Sequence, residues 1–410
     1  MSEGSQPPSA LRHPGFRMFF IGTALAMLAD NTEHVISYWV IFQKFHSAEL
    51  GGFAVISHWV PYLAFSVYAG SLGDRVDPRR IIQVGMVLFM GVSVAWGMLF
   101  LTDSLQAWHA RLLLIIHGTA GVLWAPPSQL LLHDIVEIEQ LPSAVRLTAT
   151  ARYLGMLTGP AVGGALLLAF GPAHGILINA SIYLPMFLWL FWAPHAPRSA
   201  AGAAVRGLRD LARAFQSIRS SSTVLGMTLL AGCAAALIGN AYQAQMPAFA
   251  VDLGHGDPGM AYSMLLAADA GGALTAGFAL EKYRWLPLAP RTALLLAMAW
   301  CCALAAFALT RIYPLALALL FIAGFVELSF NSMAQALVQL GAPADVRGRI
   351  IGVFTMAGSG MRTFSGVTVG IVGGLIGIRG SLAASAGVLL LMIAVLLALN
   401  DRRARAAQNA

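Results

Sequence analysis

Charge is scarce in this chain. Of its 410 residues, 10% are Asp, Glu, Lys or Arg, while 58% are hydrophobic. A soluble domain carries about 25% charged residues. This chain has too few to cover a water-facing surface of its size, so part of its solvent has to be lipid. Cysteine is scarcer still, limited to Cys233, Cys301 and Cys302. All three fall in apolar runs and two are adjacent, which leaves no disulfide framework and no local metal-site spacing. A nucleophile–base pair, a phosphate loop and any polar insertion long enough for a catalytic domain are also missing, so the sequence offers no enzyme chemistry and no cofactor site.

What the sequence does have is apolar length. A bilayer core of roughly 30 Å needs about 20 apolar residues per helix. Twelve runs meet that need: 16–42, 51–73, 81–102, 108–132, 144–170, 174–193, 223–250, 259–280, 290–310, 313–340, 349–374 and 378–399. None alternates as a barrel strand does. The expected fold class is therefore an all-α integral membrane protein with twelve transmembrane helices. The first run is long, is interrupted by polar residues and is followed by no small-residue cleavage site, so it is expected to be retained.

The net charge of +7 is distributed by topology. With the N-terminus inside, nineteen of the 25 lysines and arginines fall in cytoplasmic segments, and only Lys44, Arg111, Arg311 and Arg379 fall on the opposite side. The positive-inside rule then places both termini in the cytoplasm. Because loop position accounts for the excess charge, no nucleic-acid partner is expected.

One connection is long. Residues 194–222 open with prolines and small residues, then place Val205, Leu208, Leu211, Phe215 and Ile218 at helical spacing, with Arg206, Arg209, Arg213 and Arg219 on other faces. This pattern fits an amphipathic helix on the inner leaflet, its arginines near lipid phosphates, or a solvated linker helix. Either way it separates 1–193 from 223–410, each with six runs. After run two comes Gly70-Ser71-Leu72-Gly73-Asp74-Arg75-Val76-Asp77-Pro78-Arg79-Arg80. After run eight comes a degraded echo, Gly277 to Arg284, with Glu281 beside Lys282. Two six-helix pseudo-repeats are the arrangement used for alternating access.

Twelve runs split six and six, with G-x-x-x-D-R-x-D-x-R-R after run two, resemble the major facilitator superfamily of secondary transporters over nearly the whole chain. The resemblance implies a cytoplasmic gate in which Asp74 is the acid that contacts the chain near run eleven, Gly70 the close-packing glycine, and Arg75, Arg79 and Arg80 the basic positions. Asp77 stands where the family has a second glycine. That variant resembles the exporter-like branch related to enterobactin exporters and macrolide-efflux permeases, as do Pro127 to Arg152 and Arg347-Gly348-Arg349-Ile350.

In run five, Gly155, Gly159, Pro160, Gly163 and Gly164 resemble the superfamily's antiporter motif. Independently of the family, glycines every four residues line one face and let another helix approach, and Pro160 bends the span. One departure concerns run four. The arginine used by proton-coupled drug exporters is replaced by Leu114, ahead of His117-Gly118, so a proton relay by that route is absent.

Charges inside a membrane cost at least about 2.5–3.5 kcal/mol each at a lone helix centre. Asp30, Glu33, Arg152, Asp269, Glu327 and Arg362 are such charges. Asp30, Glu33 and His34 share one helix face, at i, i+3 and i+4, and could serve substrate binding or proton coupling, or form a static network with Arg152 or Arg362. Glu327 and Asn331 share another face. Arg362 needs a carboxylate, either Glu327 or Asp269, or an anionic substrate. His58 and His117 read as hydrogen-bonded packing residues. Trp39, Trp59, Tyr62, Tyr242 and Phe249 fit either a cavity or a lipid-facing belt.

The expected function is secondary active export of a small organic molecule across the bacterial inner membrane by alternating access, as a proton-coupled antiporter, with protons and lipids as the other partners and a monomer as the working unit. An uncoupled facilitator or a lysolipid-type flippase of the same fold is the alternative.

Overall fold

The computed structural model describes residues 9–45, 48–194, 216, 218–219, 221–239, 241–254 and 258–408. The described residues are helical, with no strand among them. The reading of 205–217 as an amphipathic helix lies outside the described residues apart from 216, while Ile218 is buried.

The apolar runs set the helices closely. α1 spans Pro14–Phe45, α2 Ala48–Gly73, α3 Pro78–Leu101, α4 Ala107–Ile135, α5 Leu141–Ile182 and α6 Leu184–Trp189. α7 spans Ser222–Leu237, α8 Ala241–Ala244, α9 Met246–Asp252, α10 Pro258–Tyr283, α11 Pro290–Leu309 and α12 Tyr313–Gly341. α13 is Arg347–Thr355, α14 Arg362–Ser365, α15 Val372–Ile376 and α16 Ile378–Gln408.

Among the described residues, six helical stretches are long and apolar enough to cross a membrane: Pro78–Leu101, Ile138–Trp189, Ser263–Tyr283, Pro290–Leu309, Tyr313–Gly341 and Ile378–Val395. The second of these, at 52 residues, holds runs five and six. It turns at Gly171, whose φ of 72° belongs to the left-handed region that glycine enters without penalty. The Cβ position of Gly175 lies 3.1 Å from the Leu166 carbonyl, so the chain doubles back there.

Two runs that read as continuous are broken. Run seven is interrupted at Gly239, with φ 48°, and resolves into α7, α8 and α9. Run eleven contains π-helical turns at Met356–Gly360 and Gly366–Ile371. Breaking a helix in lipid exposes carbonyls that need partners. Thr368 Oγ1 supplies one, donating within 3.0 Å of the Ala236 carbonyl and 2.9 Å of the Leu237 carbonyl at the end of α7. Ser381 Oγ in turn donates to the Thr368 carbonyl at 2.6 Å.

The chain divides into two compact units. One comprises Met1–Ser221 with Val338–Met356, and the other Ser222–Leu337 with Ala357–Ala410. In the first, α1 packs along α5, and α2 packs along α4 and α13. In the second, α11 packs along α16, and α10 meets α12 at glycines. A Cβ on Gly272 would strike the Phe321 carbonyl, and one on Gly324 the Asp269 carbonyl. Gly272→Ala is therefore expected to destabilise the protein by about 1–3 kcal/mol, read as a lower thermal midpoint in detergent. Gly91→Ala, in open space on α3, should hold or slightly raise the midpoint, because alanine favours a helix interior by about 0.5–1 kcal/mol over glycine.

Candidate functional site

Three polar centres stand out in these units. The first joins α1, α3, α4 and α5. Asp30 and Glu33, on one face of α1, are both buried, and His117 of α4 lies between them. Its Nε2 is 2.8 Å from Asp30 Oδ1 and its Nδ1 is 2.8 Å from Glu33 Oε1. Ser93 Oγ of α3 donates to the other Glu33 oxygen, and Asn179 Nδ2 donates to Ser93 Oγ at 3.4 Å. A neutral imidazole offers one N–H and one lone pair, so a ring between two carboxylates has a place for one further cation. His34 stands 3.9 Å from Asp30 Oδ2. The ring centroid of His34 lies 4.8 Å from that of His117 and 5.1 Å from that of His58.

Asp30, Glu33 and His34 are thus brought together, as their spacing implied, but their partner is a residue read as packing. His117 joins two acids 84 and 87 positions away in sequence. Arg152 is exposed on α5 and takes no part in these hydrogen bonds. Gly155, Gly159 and Gly163 of α5 face α1 beside the cluster. A Cβ at Gly159 would stand 2.5 Å from that of Asn31, and one at Gly163 would stand 3.0 Å from that of Val35. Thr32 Oγ1 donates to the Gly159 carbonyl at 3.2 Å. Gly164 has open space around it, and Pro160 is exposed.

The second centre lies where α7–α9, α10 and α12 meet. Tyr242, fully buried in α8, places its hydroxyl 3.1 Å from Asp269 Oδ2 and 3.3 Å from Glu327 Oε2. Gln243 Nε2 donates to the same Asp269 oxygen at 2.9 Å. Asp269 Oδ1 is buried with no hydrogen-bond partner among the described residues. The break at Gly239 lies three residues before Tyr242, next to Ser365 of the other interrupted run. Asn331 is half-buried one turn beyond Glu327. Arg362 Nε donates to the Gly358 carbonyl at 3.2 Å, within the first π-helical turn.

The third centre is the loop after α2. Asp74 Oδ1 accepts from Gly348 N at 2.6 Å, its Oδ2 accepts from Arg349 N at 3.2 Å, and Arg349 Nε lies 3.6 Å from that second oxygen. The carboxylate therefore caps the N-terminus of α13, where unpaired N–H groups and the helix dipole favour an anion. The backbones meet closely. A Cβ on Gly70 would strike the Gly348 carbonyl, and one on Gly352 would lie 2.5 Å from the Ser66 carbonyl.

Asp77 does not simply replace a glycine. It N-caps α3 at Arg79 N, 2.9 Å away, and receives Arg79 Nε and Nη2 at 2.9 and 2.7 Å on its second oxygen. Arg79 Nη1 also donates to the Ala193 carbonyl at 2.8 Å. Arg75 N donates to the Leu72 carbonyl at 3.1 Å, and Arg80 Nη1 to Gln83 Oε1 at 3.2 Å. Deeper in the same unit, Gln129 bridges Thr355 Oγ1 and Gln339 Nε2, each at 3.3 Å. No motif pointed to that bridge.

A chain with no strand among its described residues, with buried carboxylates in apolar helices and an acid after its second helix capping its eleventh run, has the features of a major facilitator transporter. Residues 5–410 match the family described as transmembrane secretion effector, and the chain belongs to that family of major facilitator transporters.

Three curated relatives are similar over part of their length. The staphyloferrin A transporter of Staphylococcus aureus is 24% identical over 170 residues, 41% of this chain and 42% of its own. The putative multidrug resistance protein MdtD of Citrobacter koseri is 30% identical over 129 residues, 31% of this chain and 26% of its own. The multidrug efflux pump LfrA of Mycolicibacterium smegmatis is 29% identical over 175 residues, 40% and 34%. The chain therefore matches less than half the length of each of these relatives.

Among solved structures, the fucose:proton symporter FucP of E. coli superposes with a TM-score of 0.69 at 13% identity, covering 93% of this chain and 99% of that one. A bacterial homolog of the human lysosomal transporter Spinster, inward-facing and unoccupied, gives 0.58 at 16% identity, with 97% and 98% covered. At these identities the likeness is one of fold, and the fold is that of the major facilitators.

Proposed function

We propose that this protein exports a small organic molecule across the bacterial inner membrane by alternating access, in exchange for protons. The observation that carries the coupling is the Tyr242 hydroxyl within hydrogen-bond reach of both Asp269 and Glu327. A single O–H donates to one carboxylate only. The other meets the phenol oxygen comfortably when it carries a proton of its own, so the trio suits one bound proton. Asp269 Oδ1, with no hydrogen-bond partner among the described residues, leaves an acceptor for that proton or for a cargo donor. In this reading Asp30, Glu33 and His34 supply polar contacts to the cargo in the first unit, while Arg362 and Asn331 do so in the second. Gly70, Asp74, Arg75, Arg79 and Arg80 form the cytoplasmic gate. The names of the matched relatives, two of them efflux or multidrug resistance proteins, support the outward direction.

The test is proton-flux quenching in everted membrane vesicles, across a panel of siderophores, macrolides, cationic dyes and lysolipids. In everted vesicles with an acidic interior, a proton exchanger accumulates one of these and alkalinises the lumen as it does so, whereas acidification on cargo entry would identify a symporter and overturn the exchange. Collapse of the gradient should reduce accumulation to equilibrium, about tenfold or more. Uptake indifferent to the gradient identifies a facilitator or flippase instead.

A further inference from the structure

The first polar centre has more ligating capacity than a cargo contact or a packing network requires. His34 of α1, His58 of α2 and His117 of α4 place one ring nitrogen each so that all three lie within 4.8 Å of one another. The chain has ten histidines, and three of them, from three different helices, converge here. Nε2 of His34 is buried with no hydrogen-bond partner among the described residues, which leaves it available as a ligand. His117 is held as a metal-binding histidine is held. Its Nδ1 is engaged by Glu33 at 2.8 Å, and Glu33 is fixed by Ser93, itself bonded to Asn179. Metal-bound histidines generally donate their second ring N–H to a carboxylate, which fixes the tautomer and aims the other nitrogen. The nitrogen so aimed is Nε2, and it faces Asp30 Oδ1 at 2.8 Å.

We propose that His34, His58 and the Nε2 of His117, with Asp30 as the anionic fourth ligand, bind a first-row divalent transition-metal ion, and that Glu33 orients His117 by holding its Nδ1. Three imidazoles and one carboxylate suit zinc, cobalt, nickel or copper, not the oxygen-seeking calcium or magnesium. In a tetrahedral site with metal–nitrogen bonds of about 2.0–2.1 Å, ligand atoms stand about 3.4 Å apart. On binding, the three ring nitrogens, now within 4.8 Å of one another, draw together, and the 2.8 Å contact between His117 Nε2 and Asp30 Oδ1 opens to admit the ion. The ion would also offset the two buried carboxylates, which otherwise face one another across a single imidazole in apolar helices. The inference is independent of the direction or coupling of transport, and it replaces the direct cargo contacts of Asp30, Glu33 and His34, which then reach cargo only through the bound ion.

The experiment titrates the full-length protein, purified in detergent without a polyhistidine tag, with Co2+ by visible absorption and with Zn2+ by calorimetry. One equivalent of Co2+ should bind with the intense visible bands of a tetrahedral site, and excess Mg2+ should not displace it. His58→Ala and His34→Ala should each weaken binding about 100-fold, and Glu33→Gln by about 10–100-fold. His174→Ala, an exposed residue of α5, should leave binding unchanged. Size-exclusion profiles and thermal midpoints of the variants without metal establish that they are folded, and His58→Gln replaces His58→Ala if the latter is not. Absence of saturable one-to-one binding overturns the proposal. So does binding that survives in the double variant His34→Ala/His58→Ala, because the ion then sits elsewhere.

Discussion

Asp74→Asn is expected to leave the protein folded and to cut the transport rate by about tenfold or more. In the structure both carboxylate oxygens accept backbone N–H groups at the start of α13, beside the Arg349 side chain. Hydrogen bonds to a charged group contribute about 1.5–3 kcal/mol each, and every 1.4 kcal/mol is a factor of ten in population. Asparagine keeps one acceptor but removes the charge and turns an NH2 towards an N–H donor. The state that holds α2 against α13 would lose about 2 kcal/mol, a shift in population of roughly 30-fold. A transporter that cannot hold one of its closed states turns over slowly, whatever its cargo. Initial rates in everted vesicles at equal protein amounts are the measurement. Glu139→Gln, which neutralises an exposed carboxylate in the connection after α4, is the control and should cost little. A normal rate for Asp74→Asn would remove the gate role from this residue.

The second large effect concerns the C-terminal centre. Asp269→Asn and Tyr242→Phe should each abolish gradient-driven accumulation, about tenfold or more, while exchange of labelled for unlabelled cargo continues. The asparagine cannot take up the exchanged proton, and the phenylalanine removes the hydroxyl that joins Asp269 to Glu327. Loss of accumulation with retained exchange is the signature of a broken coupling step rather than a broken cargo site. Accumulation with wild-type pH dependence in both variants would move the coupling elsewhere in the molecule.

Much of the fold was legible because the bilayer constrains it. Apolar length fixes helix length, so α3, α10, α11 and α12 begin and end within a few residues of runs 81–102, 259–280, 290–310 and 313–340. The breaks in runs seven and eleven were not legible. Glycine, serine and threonine are tolerated in continuous membrane helices, and nothing local says that Thr368 will serve the carbonyls at the end of α7.

The buried carboxylates could be picked out because each is costly in lipid. Their partners could not. Histidine and tyrosine are unremarkable in an apolar run, and pairings 84 residues apart for His117 and Glu33, or 85 for Tyr242 and Glu327, leave no mark on spacing. The convergence of three histidines is hidden for the same reason, since each sits alone on its own helix. Asp77 shows a different limit. A motif identified it as a departure from glycine, whereas its work is local, starting α3 and holding Arg79.

The close approach of α2 and α13 has a consequence for how this sequence can change over time. The main chain of Gly70 and that of Gly348 each fill the space a side chain would need at the other, and the main chain of Ser66 and Val67 fills the space a side chain would need at Gly352. A methyl group at any of these positions is blocked by main chain, which no rotamer change can move aside. Drift in the second helix and drift near residue 350 are therefore not independent, although nearly 280 positions separate them. A descendant that abandons one glycine has to re-space the whole crossing, so the positions should be lost together or kept together across lineages that carry the acid at Asp74.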